Sequence, residues 1–311
     1  MSAVLATKET IEQASQLLQG GGVVAFPTET VYGLGCDTLN KKAISLVYTL
    51  KSRPNNNPLI AHVCNIEDAK NITNGWDSRC DTLANAFWPG PLTIILHRNS
   101  SVPKEASGGS NTIAVRCPNH EVAKKLLARF GGPISAPSAN ISGHTSPTTA
   151  AHVRGDFGDE LFILDGGPCE KGIESTVISM VGTPTILRLG SITTDDITKL
   201  IGEVVIQNST HQNESPGTSE KHYAPKSRLI LQTTDEIQNH QKEKTVFLVI
   251  GATPTIGTAV QMPDEPVAYA KYMYAEIRKA DAMNPERICV EKPPNTPDWD
   301  AVNDRLRRAS S

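Results

Sequence analysis

No stretch of this 311-residue chain approaches the roughly 20 consecutive apolar residues of a membrane-spanning helix, so no membrane partner is expected. Cysteine is sparse and scattered: the six residues, at 36, 64, 80, 117, 169 and 289, make no C-x-x-C pair and no Cys/His ligand spacing. That argues against structural zinc and leaves reduced thiols in a cytosolic protein as the plain reading. An excess of charge is missing too. With 30 Lys+Arg against 33 Asp+Glu the net is -3, which argues against clamping long nucleic acid through bulk charge, although local basic clusters can still hold a small anion. The opening MSAVLATKETIEQ lacks the basic segment and apolar run of a secretory signal, so a cytoplasmic location is expected. Familiar catalytic signatures are absent: no G-x-x-x-x-G-K-S/T, no H-E-x-x-H and no G-x-S-x-G. Gly33-Leu34-Gly35 lacks the third glycine of a dinucleotide fingerprint. Nucleophilic hydrolysis and NAD chemistry both lose ground.

What is present reads as two α/β units, as the length leads one to expect. Thr7 caps a predicted helix with Ile11, Ala14, Leu17 and Leu18 on one face, stopped by Gly20 to Gly22, and VVAFPT follows as a strand. Apolar spacing at Ile44, Val47 and Leu50 predicts a helix over 41–50. Short strands are predicted at 59–63, 92–96, 112–116, 133–136 and 161–164, with helices near 78–87, 121–130 and 147–154. In the last of these Ser146 stands as N-cap and Pro147 as N1. STVISMVGTPTILRL reads as a hairpin around Gly182-Thr183-Pro184, and a helix over 194–201 closes a domain with a mixed sheet, placed at 1–205. A polar linker, 206–226, has almost no aliphatic content; a connection of that length usually marks function or disorder. From 227 to 311, strands RLILQ, TVFLVIG and RICVE alternate with helices over 267–283 and 299–308, which predicts a smaller parallel sheet of Rossmann-like form.

The candidate chemistry sits at strand ends. FPTET, KSR, AHV, NTIAVR, SAPSAN, HTSPT, IEST and LRLG are rich in hydroxyls, with Lys51, Arg53, Arg116 and Arg188 supplying charge. An anionic ligand such as a nucleoside triphosphate calls for this mixture: forked guanidiniums, an ammonium, and short hydroxyl and backbone N–H donors. Each piece also has a bland reading. Lys51-Ser52-Arg53 can simply complement a helix dipole. His62 can be a satisfied core histidine, and Arg116 can pair with a surface carboxylate. Ser138 and Asn140 can be turn residues, Ser146 only a cap, Ser175 and Thr176 strand formers, and Arg188 part of a solvated edge. Joint occurrence in one domain carries the case.

At these residues the chain resembles the YrdC-like family in its long, two-domain form, the threonylcarbamoyl-AMP synthases. The resemblance runs from about Leu17 to Gly190 through GGVVAFPTETVYGLGCD, KSRPNNNPLIAHV, FWPGPLTIIL, TIAVRCPNH, PISAPSANISGHTSPT and GIESTVI, and continues through SPGTSEKHYAP into the C-terminal unit. It implies an α/β fold with a YrdC-like twisted mixed sheet around an open positive cavity, a linker folding over that cavity, and a smaller C-terminal Rossmann-like α/β domain. It implies an enzyme, a nucleotidyltransferase joining L-threonine, bicarbonate or CO2 and ATP into threonylcarbamoyl-adenylate and pyrophosphate. Partner proteins then transfer the threonylcarbamoyl group to a tRNA adenosine beside the anticodon, with at most weak tRNA contact by this chain. Matched position by position, Thr28, His62, Arg116 and Ser175 are implied to hold threonine. Lys51, Arg53, Thr112, Ser138, Asn140, Ser146 and Arg188 are implied to contact the nucleotide and its phosphates, with Lys51 and Arg53 closest to the chemistry. Tyr223, beside His222, matches the linker element that closes over ATP. Many relatives carry a Met and a basic-aromatic pair after the linker's PG, where this chain has Thr218-Ser219-Glu220. No carboxylate cluster supplies a metal cage, so Mg2+ is expected to ride mainly on ATP phosphates and water.

A rival reading is a non-catalytic module whose concave basic face holds double-stranded RNA or tRNA by shape and phosphate contacts. Near-neutral composition and the lack of an aromatic-basic stripe count against it. A carbamoyl-phosphate-using transferase, known from larger relatives, ranks lower because their acylphosphatase-like and zinc-finger parts are missing from the sequence.

Overall fold

The computed structural model describes residues 3–207, 222–239 and 243–310. They build two sheets. The larger one runs, in spatial order, Val4–Leu5, Phe162–Asp165, Val24–Phe26, Gly33–Asp37, Ile134–Ser135, Ile60–His62, Thr112–Arg116, Leu92–Arg98, Thr176–Ser179, Thr185–Arg188 and Val205–Ile206, with Thr73–Asn74 paired onto Leu92–Arg98. Parallel and antiparallel pairs both occur along it, so the sheet is mixed, as expected. Register is what matters for the site. His62 lies opposite Arg116 on one side and Ile134 on the other, which puts the ends of three central strands side by side.

Local chemistry explains most elements. Thr7 and Thr10 form a capping box on the helix Lys8–Gln19, whose buried face is Ile11, Ala14, Ser15 and Leu18. Asn40 caps Lys41–Lys51 by accepting from the Lys42 and Ala43 N–H groups. Gly33–Asp37 is a strand rather than part of a nucleotide-binding turn. A Cβ at Gly35 would lie 2.6 Å from the Phe26 ring and 2.9 Å from Ile134, so close packing between strands requires glycine there. One predicted start is wrong. The helix after HTSPT spans Ala150–Phe157 with Thr149 as its cap, not Ser146. The Pro147 and Thr148 carbonyls accept from the Tyr32 and Cys169 N–H groups, at 2.9 Å each, so the chain stays extended there and cannot begin a helical ladder.

The C-terminal sheet has four parallel strands in the order Arg228–Gln232, Arg287–Glu291, Thr245–Val249, Thr258–Gln261. The last, an exposed edge strand, was not anticipated. Helices Pro266–Ala282 and Asp300–Ala309 pack with it, and their core also takes in Val31, Ile173 and Tyr223, which belong to the other unit and the linker. The two units therefore share apolar packing. Among the described residues no helix is long and apolar enough to cross a membrane.

Candidate active site

The site begins with the turn after Lys41–Lys51. Ser52 adopts a left-handed conformation (φ 51°), and the Arg53 N–H bonds back to the Tyr48 carbonyl at 2.9 Å. That sharp stop aims Lys51 and Arg53 inward. The prolines and asparagines that follow act as a brace: Arg53 donates to the Asn57 carbonyl (3.2 Å), to Asn57 Oδ1 (2.5 Å) and to the Pro58 carbonyl (2.9 Å). Lys51 is 1% exposed, and its Nζ donates at 2.5 Å to both the Ser138 and Asn140 carbonyls. Burial, and then the neighbouring Arg53, push the Lys51 ammonium well below its ordinary pKa. Ser138 Oγ in turn donates to Asn140 Oδ1 at 2.5 Å. One ammonium thus fixes the whole Ser138–Asn140 turn.

A second cluster surrounds Arg116. Thr28 Oγ1 donates to the Val31 carbonyl (2.6 Å) and accepts from the Thr30 and Val31 N–H groups, closing a tight turn that presents Glu29 and Thr30 to the strand end. Arg116 donates to Thr30 Oγ1 (2.9 Å) and the Gly90 carbonyl (3.2 Å), and its Nη2 lies 2.7 Å from Glu29 Oε1. That last contact is an ion pair without hydrogen-bond geometry, so Nη2 and both Glu29 oxygens have no directed partner among the described residues. Burial would raise the Glu29 carboxyl, but Arg116 outweighs it and holds the group below the usual carboxylate range. His62 stands edge-on to Phe26 with its Nδ1 also unsatisfied. Burial, helped by Arg116, lowers its pKa to about 3, so it is neutral at pH 7.

Arg188 is held on Ser175 and lines the same cavity as Arg53 and Arg116. It donates to the Ser175 carbonyl and to Ser175 Oγ, both at 3.1 Å, and Ser175 Oγ lies 2.7 Å from Thr93 Oγ1. This loop tolerates no bulk: a Cβ at Gly190 would fall 2.4 Å from the Thr176 nitrogen. Beside it, Glu174 accepts from Ser146 Oγ at 2.6 Å. The linker closes the top. Tyr223 is 1% exposed, holds the left-handed φ of 65° that a bulky residue rarely takes, and stacks on Tyr274. Burial pushes its phenol up to about 12 and the His222 imidazole down to about 3.

One cavity gathers Thr28, Arg53, His62, Arg116, Ser138, Ser175, Arg188 and Tyr223, eight of the twelve positions picked out from sequence. Its free volume is about 50 Å³, room for a few waters and not for a nucleotide while His222 and Tyr223 line it. The other four lie outside the lining. Lys51 and Asn140 support Ser138 from behind, and Ser146 supports Glu174. Thr112 sits at the far end of its strand, facing Ser110. The linker readings at 208–221, including Thr218-Ser219-Glu220, lie outside the described residues. The sequence reading missed Glu29, Thr30 and Glu174. They lie within FPTET and IEST, segments already singled out for their hydroxyls, but only the fold sets Glu29 against Arg116 and Glu174 against Ser146. Arg53, Arg116 and Arg188 are only 3–7% exposed, so they cannot lie against a duplex backbone, and the RNA-binding alternative loses its basic face. Among the described residues no three His, Cys, Asp or Glu side chains form a metal cage.

The chain is similar to known proteins along its whole length. The Sua5/YciO/YrdC family model, described as "Telomere recombination", matches residues 16–190. A second, described as "Threonylcarbamoyl-AMP synthase, C-terminal domain", matches 192–311. A Pyrococcus abyssi protein named threonylcarbamoyl-AMP synthase is 35% identical over 100% of this chain and 98% of its own length. A Bacillus subtilis protein of the same name is 37% identical over 96% and 92%. The crystal structure of P. abyssi Sua5 complexed with L-threonine superposes with a TM-score of 0.91 at 35% identity, covering 96% of this chain and 94% of that one.

Proposed function

The chain belongs to the threonylcarbamoyl-AMP synthases, and from that premise we propose that its cavity joins L-threonine, bicarbonate or CO2 and ATP into threonylcarbamoyl-adenylate with release of pyrophosphate. The observation that carries the site assignment is the convergence of Arg53, Arg116 and Arg188 with Thr28, His62, Ser138 and Ser175 on one buried cavity.

Arg116 with Thr28, His62 and Ser175 forms the amino-acid end. A buried guanidinium, set against a neutral imidazole, suits a carboxylate and an amine that has to lose its proton before it reacts. The neutral threonine amine attacks CO2, giving a carbamate and releasing a proton. A carbamate oxygen then attacks the α-phosphorus in line with departing pyrophosphate. Both partners are anions, so Arg53 and Arg188 lower the repulsion, and the turn held by Lys51 and Asn140 presents Ser138 to the nucleotide. Mg2+ bound with the nucleotide would supply further charge neutralisation. Positioning of the two anions contributes on the order of 7–11 kcal/mol in favourable systems.

His222 and Tyr223 withdraw to admit ATP and return over it, excluding water from the labile carbamate. The product is a reactive mixed anhydride, so a tRNA-modifying transferase has to consume it, and this chain's own contact with tRNA is weak. Six free cysteines, five of them buried, suit the reducing cytoplasm. Pyrophosphate release from the purified chain tests this reading. It should need ATP, L-threonine and bicarbonate together, and release that ignores threonine would refute it.

A further inference from the structure

The C-terminal unit reaches the active site through Arg305 and Tyr274. Arg305, on the helix Asp300–Ala309, has 0% exposure, as unusual a place for an arginine as the chain offers. Its Nε donates to Glu174 Oε2 at 2.9 Å and its Nη2 to the Leu189 carbonyl at 2.7 Å, immediately after Arg188. The guanidinium also stands 5.4 Å from the Tyr223 ring centre. Tyr274, from the same unit, adds a donor to Glu174 at 3.1 Å and the stacking surface for Tyr223. Glu174 is the one carboxylate among the cavity's described lining residues, and its other oxygen holds Ser146. Left uncompensated, that charge would face an incoming polyphosphate in a site of low effective dielectric.

We propose that Arg305 is a positioning residue for the nucleotide half of the reaction: it cancels Glu174 and fixes the carbonyl after Arg188 and the ring of Tyr223, so that the cavity meets ATP with uncompensated positive charge. This rests on the functional reading above, and it assigns the C-terminal unit a task that its own strands and helices do not suggest. Arg305 acts through its neighbours and touches no reacting atom.

A double-mutant cycle in the full-length enzyme, read as the KM for ATP and for threonine, tests it. Arg305→Met should raise the ATP KM at least about tenfold while the threonine KM stays within about twofold: Glu174 loses its counter-charge on the nucleotide side, whereas Asp304, which Arg305 also meets at 2.8 Å, keeps Arg307 and Arg308. Made together with Glu174→Gln, the same change should cost less than about threefold, because no net charge remains to repel phosphate. Should Arg305→Met fail to fold, Arg305→Gln takes its place: it also removes the charge but keeps an amide donor for the Leu189 carbonyl, and should raise the ATP KM at least about threefold alone and leave it nearly unchanged beside Glu174→Gln. Equal effects in both backgrounds, or equal rises in the two KM values, would overturn the proposal and leave Arg305 a packing residue. A wild-type enzyme without threonine-dependent pyrophosphate release would instead sink the functional reading itself.

Discussion

Replacing Lys51 with methionine separates two roles that a buried lysine can play. The side chain keeps its length and most of its volume, so packing changes little, and only the ammonium is lost. In the structure that ammonium satisfies two carbonyls, those of Ser138 and Asn140. Each buried acceptor left unpaired costs about 1–3 kcal/mol. Part of that is offset, because a desolvated cation beside Arg53 is removed as well. The net expectation is a loss of about 2–4 kcal/mol, with the Ser138–Asn140 turn loosened and turnover reduced at least about a hundredfold through misplacement of Ser138. Urea unfolding and pyrophosphate release, measured on the same preparation, read the two effects. A variant as stable as wild type but inactive would show that the ammonium serves the phosphates directly and that its bonds to the turn are dispensable. A variant with wild-type turnover would refute any role for Lys51 in the site.

Stability should also fall on mild acidification. His62 and His222 are buried and neutral with pKa values lowered to about 3, whereas the unfolded chain binds a proton near pH 6.5. The unfolded state therefore holds more protons between those values, and each histidine costs about 2 kcal/mol of stability at pH 5 relative to pH 8. A urea midpoint that is flat from pH 8 to pH 5 would contradict this, and His62→Asn should reduce the slope. Arg116→Lys keeps the charge but loses the fork, and should raise the threonine KM about 10- to 100-fold with a small change in the ATP KM; equal changes in both would move Arg116 away from the amino-acid end. Gly190→Ala should destabilise the enzyme by at least about 1–3 kcal/mol and impair activity, since its Cβ would strike the Thr176 backbone at 2.4 Å, and unchanged melting would show that the loop yields.

Much of this was legible in the sequence where local signals and tertiary demands agree. The runs Thr112–Arg116, Arg228–Gln232 and Arg287–Glu291 are strands with the bounds their β-branched and aliphatic residues indicate. Helices Ser78–Phe87, Glu121–Phe130 and Thr194–Ile201 likewise match their apolar spacing. The failures have identifiable causes. Gly33–Asp37 is glycine-rich because a neighbouring ring needs the space, which no local propensity reports. Ser146-Pro147 resembles a helix start, but Tyr32 and Cys169 claim the carbonyls that would begin the ladder. The site's cations were readable from motif order, whereas their counter-charges were not. Glu29 meets Arg116, and Glu174 meets Arg305, only after the chain has folded across long separations. Lys51 was expected to face phosphate, and its ammonium is found on the turn behind the cavity.

The most direct measurement is mass spectrometry of the reaction mixture after the enzyme is incubated with ATP, L-threonine and isotope-labelled bicarbonate. The account predicts a threonylcarbamoyl-adenylate carrying the label, formed by wild type and lost when Arg53 is replaced by alanine. Label-free adenylate, or labelled product formed equally well by Arg53→Ala, would contradict it.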